Sequence, residues 1–333
     1  MNQNIDYVDS FKQYTNSTFQ YSEFQLKSFS HICKNEHVLV TAHTGSGKTI
    51  PAEFSIYYNI KVLNKKVIYT SPIKALSNQK FQEFSKKFPD IEIGILTGDI
   101  KHNPGADLLI MTTEILQNHC FKIQSGNQPL DFDIDLEKDL GSVVFDEVHY
   151  IDDVDRGTVW EQTIIMLPNH IPFVMLSATI GKKENFAAWI ESITKKNVGL
   201  CGTNERVVPL YFYEYFNVPD NYITSVKDKQ MKEKIHNKAN TMSLIKTNKN
   251  YEESILNQTR ICNHQIKKDN YNIQSKFVIN SCLTKMKEKD MFPSLLFVFS
   301  RKKVEHISKQ ITVNLFNENE KDYSVEPISD KCS

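Results

Sequence analysis

The stretch VLVTAHTGSGKT at residues 38–49 decides the fold of this chain, because it joins an apolar run to a loop of small residues. Residues 38–41 have the composition of a buried strand, and a helix is predicted to begin after Thr49. In such a unit the loop N–H groups wrap phosphate oxygens, a lysine contacts the β- and γ-phosphates and a hydroxyl binds magnesium. We therefore predict a phosphate-binding loop formed by Ala42, His43, Thr44, Gly45, Ser46, Gly47, Lys48 and Thr49. The alternative is a glycine-rich turn that contains GKT by chance.

Short apolar runs recur along the first part of the chain and alternate with stretches of helix length. The predicted strands are residues 38–41, 67–70, 91–96, 108–111, 143–145, 173–176 and 198–201. Helices are predicted between most of them, including residues 75–84 and 159–166. This alternation predicts an α/β domain over residues 19–212, with a mainly parallel sheet flanked by helices and an N-terminal tail at residues 1–18.

The composition changes in the last third of the chain. Residues 213–290 are rich in Lys and Asn, which predicts a linker or surface insertion, with an amphipathic helix at residues 277–289. The apolar run SLLFVFS at residues 294–300 predicts a strand, followed by a helix. We interpret residues 291–333 as the truncated start of a second domain. A single β-α unit leaves sheet surface uncovered, so this part is expected to be poorly ordered or to pack on something else.

The overall composition indicates a globular protein. Lys and Arg total 40 and Asp and Glu total 40, so any contact with nucleic acid must come from local geometry. The six cysteines show no pair at the spacing of a zinc or redox site. The first residues lack the apolar core of a signal peptide, and no long apolar run suggests a membrane span. We expect an intracellular, cytoplasmic protein, with the nucleus as the alternative and with no membrane partner.

An apolar strand at residues 143–145 leads directly into two acidic residues, Asp146 and Glu147. In an open parallel sheet, ligands bind at the carboxyl ends of the strands. Asp146 would hold a magnesium ion through water, and Glu147 would orient and deprotonate the attacking water. An Asp-Glu pair alone is usually an ordinary solvated loop, but behind a phosphate-binding loop it predicts a catalytic site that includes Lys48.

Two other polar groups lie near these strand ends. Ser177 and Thr179 follow the strand predicted at residues 173–176, where hydroxyls commonly cap a helix. His149 follows the acidic pair, and a histidine in such a place is commonly a hydrogen-bonded structural residue. No spacing argument assigns a function to these three residues.

Longer runs of sequence resemble one family. IYTSPIKALSNQKF (residues 68–81), LIMTTEIL (109–116), VFDEVHYIDDVDRGTVWEQTIIMLP (144–168) and SATI (177–180) resemble the Ski-type, or superkiller, branch of the superfamily II DExH-box RNA helicases. The resemblance covers about residues 19–210 and resumes at LLFVFSRKKVE, residues 295–305. It implies a RecA-like P-loop NTPase domain, in which Ala42 replaces the usual first glycine, followed by the start of a second RecA-like domain.

The resemblance also implies roles for individual residues. His149 would be catalytic, and Ser177 and Thr179 would couple the magnesium site to the strand-binding surface. The adenine-contacting glutamine falls on Gln25. The motifs that grip a single strand without reading its bases fall on Ser71, Pro72, Lys74, Thr97, Gly98, Thr112, Thr113 and Glu114. Arg156 would either add a phosphate contact or form a structural salt bridge.

The expected function is therefore ATP-dependent, magnesium-dependent RNA unwinding of the Ski type, with 3′-to-5′ movement and single-stranded RNA as the partner. The glycine and arginine motifs of the family's second domain are absent from these 333 residues, so we expect slow hydrolysis and no unwinding by them alone. A separate second helicase half or an exosome-like RNA-decay complex would be a further partner. The alternatives are a non-catalytic ATP- and RNA-binding module, a fragment of a split helicase, and a DNA helicase of the same superfamily.

Overall fold

The computed structural model describes residues 3–126, 134–178, 180–206, 208–247 and 250–315, with side chains from Tyr7 onward. The chain divides into two compact units, Met1–Val208 and Pro209–Ser333. No helix among the described residues is both long and apolar enough to cross a membrane.

A sheet of eight strands forms the centre of the first unit. The strands are β1 (His37–Ala42), β2 (Lys66–Ser71), β3 (Ile93–Leu96), β4 (Lys101–His102), β5 (Leu108–Thr112), β6 (Leu140–Phe145), β7 (Phe173–Ser177) and β8 (Val198–Thr203). Their order is β4-β3-β5-β2-β6-β7-β1-β8. All neighbours pair in parallel except β3 and β4. The predicted α/β fold with a mainly parallel sheet is confirmed, whereas the short exposed edge strand β4 has no apolar signal and was missed.

Helices cover both faces of the sheet, because alternate strand residues point to opposite sides. In β1, Val38 and Val40 belong to one apolar core and Leu39 to the other. The first core is covered by α1 (Gln3–Tyr14), α2 (Glu23–Cys33), α3 (Ile50–Tyr57) and α4 (Lys74–Lys87). The second is covered by α5 (Thr113–Gln124), α6 (Gly157–Met166) and α7 (Lys183–Thr194). A π-helical turn at Tyr58–Val62 and a 3₁₀ turn at Val148–Asp152 complete the unit.

Residues 3–14, which lie within the tail predicted for residues 1–18, form the helix α1. Phe11 of α1 is 1% exposed, and its ring packs against the rings of Phe29, Phe54 and Tyr57. The polar composition of this segment hid the helix, because a few aromatic residues on one face provide enough apolar area to dock it.

Residues of the predicted linker form a folded unit of their own. It contains β9 (Phe212–Phe216), β10 (Thr241–Lys246), α8 (Asp220–Ser225), α9 (Lys229–Lys238), α10 (Glu253–Lys268) and α11 (Ser275–Glu288). Its small core draws single apolar residues from separate elements, among them Tyr222, Ile235 and Ile266. Of the two predicted alternatives, this folded core contradicts a linker, and a surface insertion stays a prediction. The core was not foreseen because its residues are far apart in sequence and form no apolar run. The helix predicted at residues 277–289 is present as α11.

The strand predicted at residues 294–300 is not formed. This segment has no strand assignment, and Leu295, Phe297 and Phe299 are 84%, 79% and 104% exposed. The helix predicted after it is present as α12 (Arg301–Ser308). A strand needs a neighbour to accept and donate its backbone hydrogen bonds, and no described strand pairs with this segment.

Candidate active site

The carboxyl ends of the parallel strands bring most of the predicted site residues to one edge of the sheet. The ends of β1, β6 and β7 carry the predicted phosphate-binding loop, Asp146 with Glu147, and Ser177, and we call them the phosphate half. The ends of β2, β3 and β5 carry the residues predicted to grip a strand, and we call them the strand-binding half. These halves are adjacent, because β2 lies beside β6 in the sheet.

The loop between β1 and α3 contains two glycines in a backbone conformation that favours glycine. Gly45 and Gly47 have positive φ angles of 84° and 81°. At Gly47 a Cβ atom would also lie 2.5 Å from Gln25 Nε2, so only glycine fits there without a shift of the neighbouring side chain. Thr49 is the N-cap of α3, whose amino end carries a partial positive charge.

Lys48 and Glu147 form an ion pair across the phosphate half. Lys48 Nζ lies 2.9 Å from Glu147 Oε1, and the two side chains are 10% and 28% exposed. The pair joins the end of the loop to the residue after Asp146, although 98 residues separate them in sequence. The ammonium group and the carboxylate predicted to act on the same phosphate group are thus in direct contact.

The Asp146 carboxylate is nearly buried and is held at both oxygens. Tyr69 Oη donates a 2.6 Å hydrogen bond to Oδ2, and the Glu147 backbone N–H donates a 2.9 Å bond to Oδ1. Burial raises the pKa of Asp146 above its ordinary value, while the hydrogen bond from Tyr69 opposes this effect. Burial, and next the charge of Asp146, raise the pKa of Tyr69 well above the ordinary value, so the hydroxyl stays protonated and acts as the donor.

Glu147 and His149 contain polar atoms that the fold leaves unsatisfied. Glu147 has a left-handed backbone conformation, with φ 51°, which a non-glycine residue seldom adopts. His149 Nδ1 lies 3.3 Å from Glu147 Oε2, but neither atom has an aligned hydrogen-bond partner within the described part of the chain. Buried polar atoms without partners are uncommon and are candidates for contact with a ligand.

Ser177 occupies the end of β7, where it pairs in register with Thr41 of β1. Its side chain is fully buried, and its hydroxyl has no hydrogen-bond partner in the described residues. Ser177 therefore lies at the level where the phosphate-binding loop begins. Thr179, the other residue predicted to couple the two halves, lies outside the described residues.

The oxygen donors of the phosphate half suit a metal that is bound only partly by the protein. No cluster of three or more His, Cys, Asp or Glu side chains capable of holding a metal exists in the part of the chain described. Asp146 and the Thr49 hydroxyl are hard oxygen donors. Sites of this kind complete their coordination with water and substrate phosphates.

The strand-binding half begins with Ser71 and Lys74. Ser71 Oγ lies 2.6 Å from Ser77 Oγ, which ties the end of β2 to α4. Lys74 Nζ forms a 2.6 Å ion pair with Asp99, and both side chains are more than half exposed. A Cβ atom at Gly98 would lie 3.0 Å from Lys74 Nζ. Two motifs that lie apart in sequence, around Ser71 and around Gly98, therefore meet at Lys74.

Another group of residues predicted to grip a strand lies where β5 runs into α5. Thr112 pairs in register with Ser71, so the two hydroxyl residues end neighbouring strands at the same level. Thr112 is the N-cap residue of α5, and the buried Thr113 hydroxyl has no hydrogen-bond partner among the described residues. Thr97 stabilises the turn after β3, since Ile100 N donates a 3.2 Å bond to Thr97 Oγ1.

Arg156 contacts both Pro72, which follows β2, and Glu114 of α5. The Nη2 atom of Arg156 forms an ion pair with Glu114 and donates a 2.5 Å hydrogen bond to the Pro72 carbonyl oxygen. The guanidinium carbon lies 5.8 Å from the centres of both the Tyr150 and the Trp160 rings. Of the two predicted roles, these contacts support the structural salt bridge.

We predict that Arg156→Ala and Glu114→Gln have similar effects. Each should lower the free energy of unfolding by about 1 kcal/mol, because the pair is partly exposed and solvent screens it. Each should also weaken binding of labelled single-stranded RNA by a similar factor, measured by fluorescence anisotropy, since each releases the Pro72 loop from α5. If Arg156 contacts RNA directly, Arg156→Ala weakens binding and Glu114→Gln does not.

Gln25 lies against the phosphate-binding loop, as predicted, but its polar atoms bond within the protein. It is 4% exposed. Its Oε1 accepts a 2.8 Å bond from Ser22 N in a capping box of α2, and its Nε2 donates a 3.1 Å bond to Gly47 O. The side chain supports the loop at Gly47, and a contact with adenine remains a prediction.

Sequence reasoning missed Tyr69 as a site residue. It sits inside the apolar run at residues 67–70, where a tyrosine is indistinguishable from a core aromatic. Its hydroxyl becomes informative only when β2 and β6 are known to be neighbours.

Comparison with known proteins identifies a family that matches part of the chain, and similar sequences that include the three below. Residues 22–186 match the family described as DEAD/DEAH box helicase. The chain is 46% identical over 192 residues to the antiviral helicase SKI2 of Saccharomyces cerevisiae, which covers 58% of this chain and 14% of that protein. It is 45% identical over 195 residues to superkiller complex protein 2 of Homo sapiens, with coverages of 59% and 15%. It is 34% identical over 325 residues to the DExH-box ATP-dependent RNA helicase DExH9 of Arabidopsis thaliana, with coverages of 93% and 30%. The chain thus spans less than a third of each of these relatives.

Proposed function

Because residues 22–186 match the family described as DEAD/DEAH box helicase, we propose that this chain supplies the ATP-hydrolysing, RNA-gripping part of a Ski-type RNA helicase. The observation that carries the proposal is the 2.9 Å contact between Lys48 and Glu147. It brings the lysine proposed to bind phosphate and the carboxylate proposed to activate water to one edge of the sheet, beside hydroxyl-rich strand ends.

ATP is the proposed cofactor, together with Mg²⁺. The N–H groups of residues 43–49 would hold the phosphates, and the Thr49 hydroxyl and the Asp146 carboxylate, the latter through water, would hold the metal. Bound Mg²⁺ supplies positive charge against the β- and γ-phosphate oxygens. Glu147 would orient the attacking water and accept its proton.

The ion pair suggests how binding and catalysis are ordered. In the pair, Glu147 neutralises the charge of Lys48. The Lys48 ammonium in turn blocks the Glu147 carboxylate, which must receive the proton from water. A phosphate group with its own negative charge competes with Glu147 for the ammonium. Movement of Lys48 from Glu147 to the phosphates would therefore free Glu147 to act on water only when ATP is present.

The strand-binding half is proposed to hold RNA by its backbone. The candidate contacts are Ser71, Pro72, Lys74, Gly98, Thr112 and Thr113, which are hydroxyls, backbone groups and one ammonium. Such groups position phosphates and sugars and carry no sequence information. RNA is chosen over DNA because the similar proteins include one named as an RNA helicase.

The proposal extends to direction and partners on the resemblance alone. It assigns 3′-to-5′ movement and a role in RNA processing or decay. One similar protein is named as a component of the superkiller complex. A multiprotein RNA-decay complex, or a separate polypeptide carrying a second RecA-like domain, is accordingly proposed as a partner.

Two lysines on α4 offer a matched test of RNA binding. Lys74 lies in the first turn of the helix at the strand-binding half, and the exposed Lys86 lies in the last turn, about 18 Å farther along the axis. We predict that Lys74→Ala weakens single-stranded RNA binding roughly fivefold and reduces the dependence on salt by about one phosphate contact. Lys86→Ala should change neither quantity in fluorescence anisotropy titrations.

The same titrations distinguish the alternatives. RNA and DNA of one sequence are compared as ligands and as stimulators of ATP turnover. Stronger stimulation by RNA supports the proposal, and equal stimulation supports a DNA helicase. ATP binding without any effect of nucleic acid, or equal losses for Lys74→Ala and Lys86→Ala, would contradict the assigned strand-binding half.

A further inference from the structure

Tyr69 connects the strand-binding half to the metal site through the sheet. It lies on β2, two residues before Ser71, and pairs in register with Val144 of β6. The backbone continues this pairing to the site, because Asp146 N donates a 2.9 Å hydrogen bond to Thr70 O. The Tyr69 ring is fully buried and packs edge-on against Phe84, with ring centres 5.2 Å apart. Its hydroxyl therefore has a fixed position relative to Asp146.

We propose that Tyr69 is a positioning residue, whose hydroxyl holds the Asp146 carboxylate in the orientation that receives magnesium-bound water. The inference rests on the proposed function, since it takes Asp146 as the magnesium carboxylate. It adds a residue from the neighbouring strand that would act through Asp146.

The hydrogen bonds at the carboxylate account for this role. Each carboxylate oxygen offers about two acceptor directions. At Asp146, one direction on Oδ2 is filled by Tyr69 and one on Oδ1 by the Glu147 N–H group. Both donors are rigid, since one is backbone and the other a buried ring. The remaining directions are thereby fixed before water or metal arrives, and partners of this kind typically change metal affinity by 10- to 100-fold.

The burial of the tyrosine favours a functional role over a packing role. Phenylalanine would make the same ring contact with Phe84 without placing a hydroxyl in an apolar core. A buried hydroxyl costs free energy unless it is hydrogen-bonded. Here the bond is made to Asp146, the carboxylate proposed to hold the metal.

The test is Tyr69→Phe, which removes only the hydroxyl. Calorimetry measures ATP affinity of the full chain in MgCl₂ and in excess EDTA. We expect the gain in affinity due to Mg²⁺ to fall about tenfold, with the affinity in EDTA unchanged. The Mg²⁺ concentration for half-maximal ATP turnover should rise by a similar factor, while the rate at saturating Mg²⁺ changes little.

Tyr222→Phe is the matched control in the second unit. Tyr222 is also buried, and its hydroxyl donates a 2.9 Å bond to Asp269. Thermal unfolding of both variants reports the structural cost of losing such a bond, and only Tyr69→Phe should alter the response to Mg²⁺.

The outcomes separate this inference from the proposed function. If the parent binds ATP with a clear gain from Mg²⁺ and Tyr69→Phe keeps the full gain, the inference is overturned and the proposed function stands. The inference is also overturned if Tyr69→Phe lowers affinity equally in Mg²⁺ and EDTA, because that result marks a structural role. If the parent shows no ATP binding that Lys48→Ala weakens, the proposed function fails and the inference fails with it.

Discussion

Replacing Glu147 with glutamine is expected to lower ATP turnover by about 10²- to 10⁴-fold, the usual contribution of a general base. A carboxylate that orients and deprotonates water acts mainly in the transition state, so its loss affects the rate and not the affinity. Glutamine also cannot neutralise Lys48, whose ammonium lies 2.9 Å from Glu147 Oε1. ATP affinity should therefore stay the same or increase slightly.

The measurement pairs calorimetric ATP binding with release of labelled phosphate under single-turnover conditions, which detects slow hydrolysis. Glu214→Gln is the matched control, because Glu214 also forms a 2.9 Å ion pair with a lysine, Lys238, in the second unit. It should leave both binding and turnover unchanged. Parallel loss of binding and turnover in Glu147→Gln would instead mark Glu147 as a structural or metal-holding residue.

Lys48→Ala is expected to weaken ATP binding by about 10- to 100-fold, since a charge-assisted hydrogen bond is worth about 1.5–3 kcal/mol. The variant also leaves the Glu147 carboxylate without its partner, next to incoming phosphate charge. Removing both groups, in Lys48→Ala with Glu147→Gln, should therefore restore part of the lost affinity. This non-additivity is the signature of a direct interaction between the two side chains.

Calorimetry on the two single variants and the double variant gives the coupling free energy. Lys86→Ala, which removes one positive charge from the last turn of α4, serves as the control for net charge. Equal ATP affinity in Lys48→Ala and the parent would remove the assignment of residues 42–49 as a phosphate-binding loop. Strictly additive effects of the two substitutions on ATP affinity would show that Lys48 and Glu147 act on ATP independently.

Much of the first unit, and the placement of the candidate site residues at one edge of its sheet, were predictable from local sequence. Strands such as residues 38–41 and 108–111 are short apolar runs bounded by polar turns. A few neighbouring residues are therefore enough to predict each strand. Parallel strands place their carboxyl ends on one edge, so the positions of Lys48, Asp146 and Ser177 along that edge followed from the alternation of strands and helices. Residue roles that rest on the resemblance, such as Thr113 in RNA binding, remain proposals.

Tertiary structure decided what depends on residues distant in sequence. The core of the second unit collects single residues such as Tyr222 and Ile235 from separate helices, whereas composition had suggested a linker or surface insertion. The run at residues 294–300 shows the opposite case, because apolar composition alone cannot supply the neighbour that a strand requires. In both cases the deciding quantity was contact between segments, which local sequence does not contain.

The sequence by itself determined that a predicted phosphate-binding loop, two carboxylates and a series of hydroxyl residues each follow a strand. Only the tertiary structure decided which of them touch. Lys48 meets Glu147, Arg156 joins Glu114 to Pro72, and Tyr69 holds Asp146, each across dozens of residues of sequence. The physical reason is that strand order sets these contacts, and β2 lies beside β6 although β3, β4 and β5 intervene along the chain.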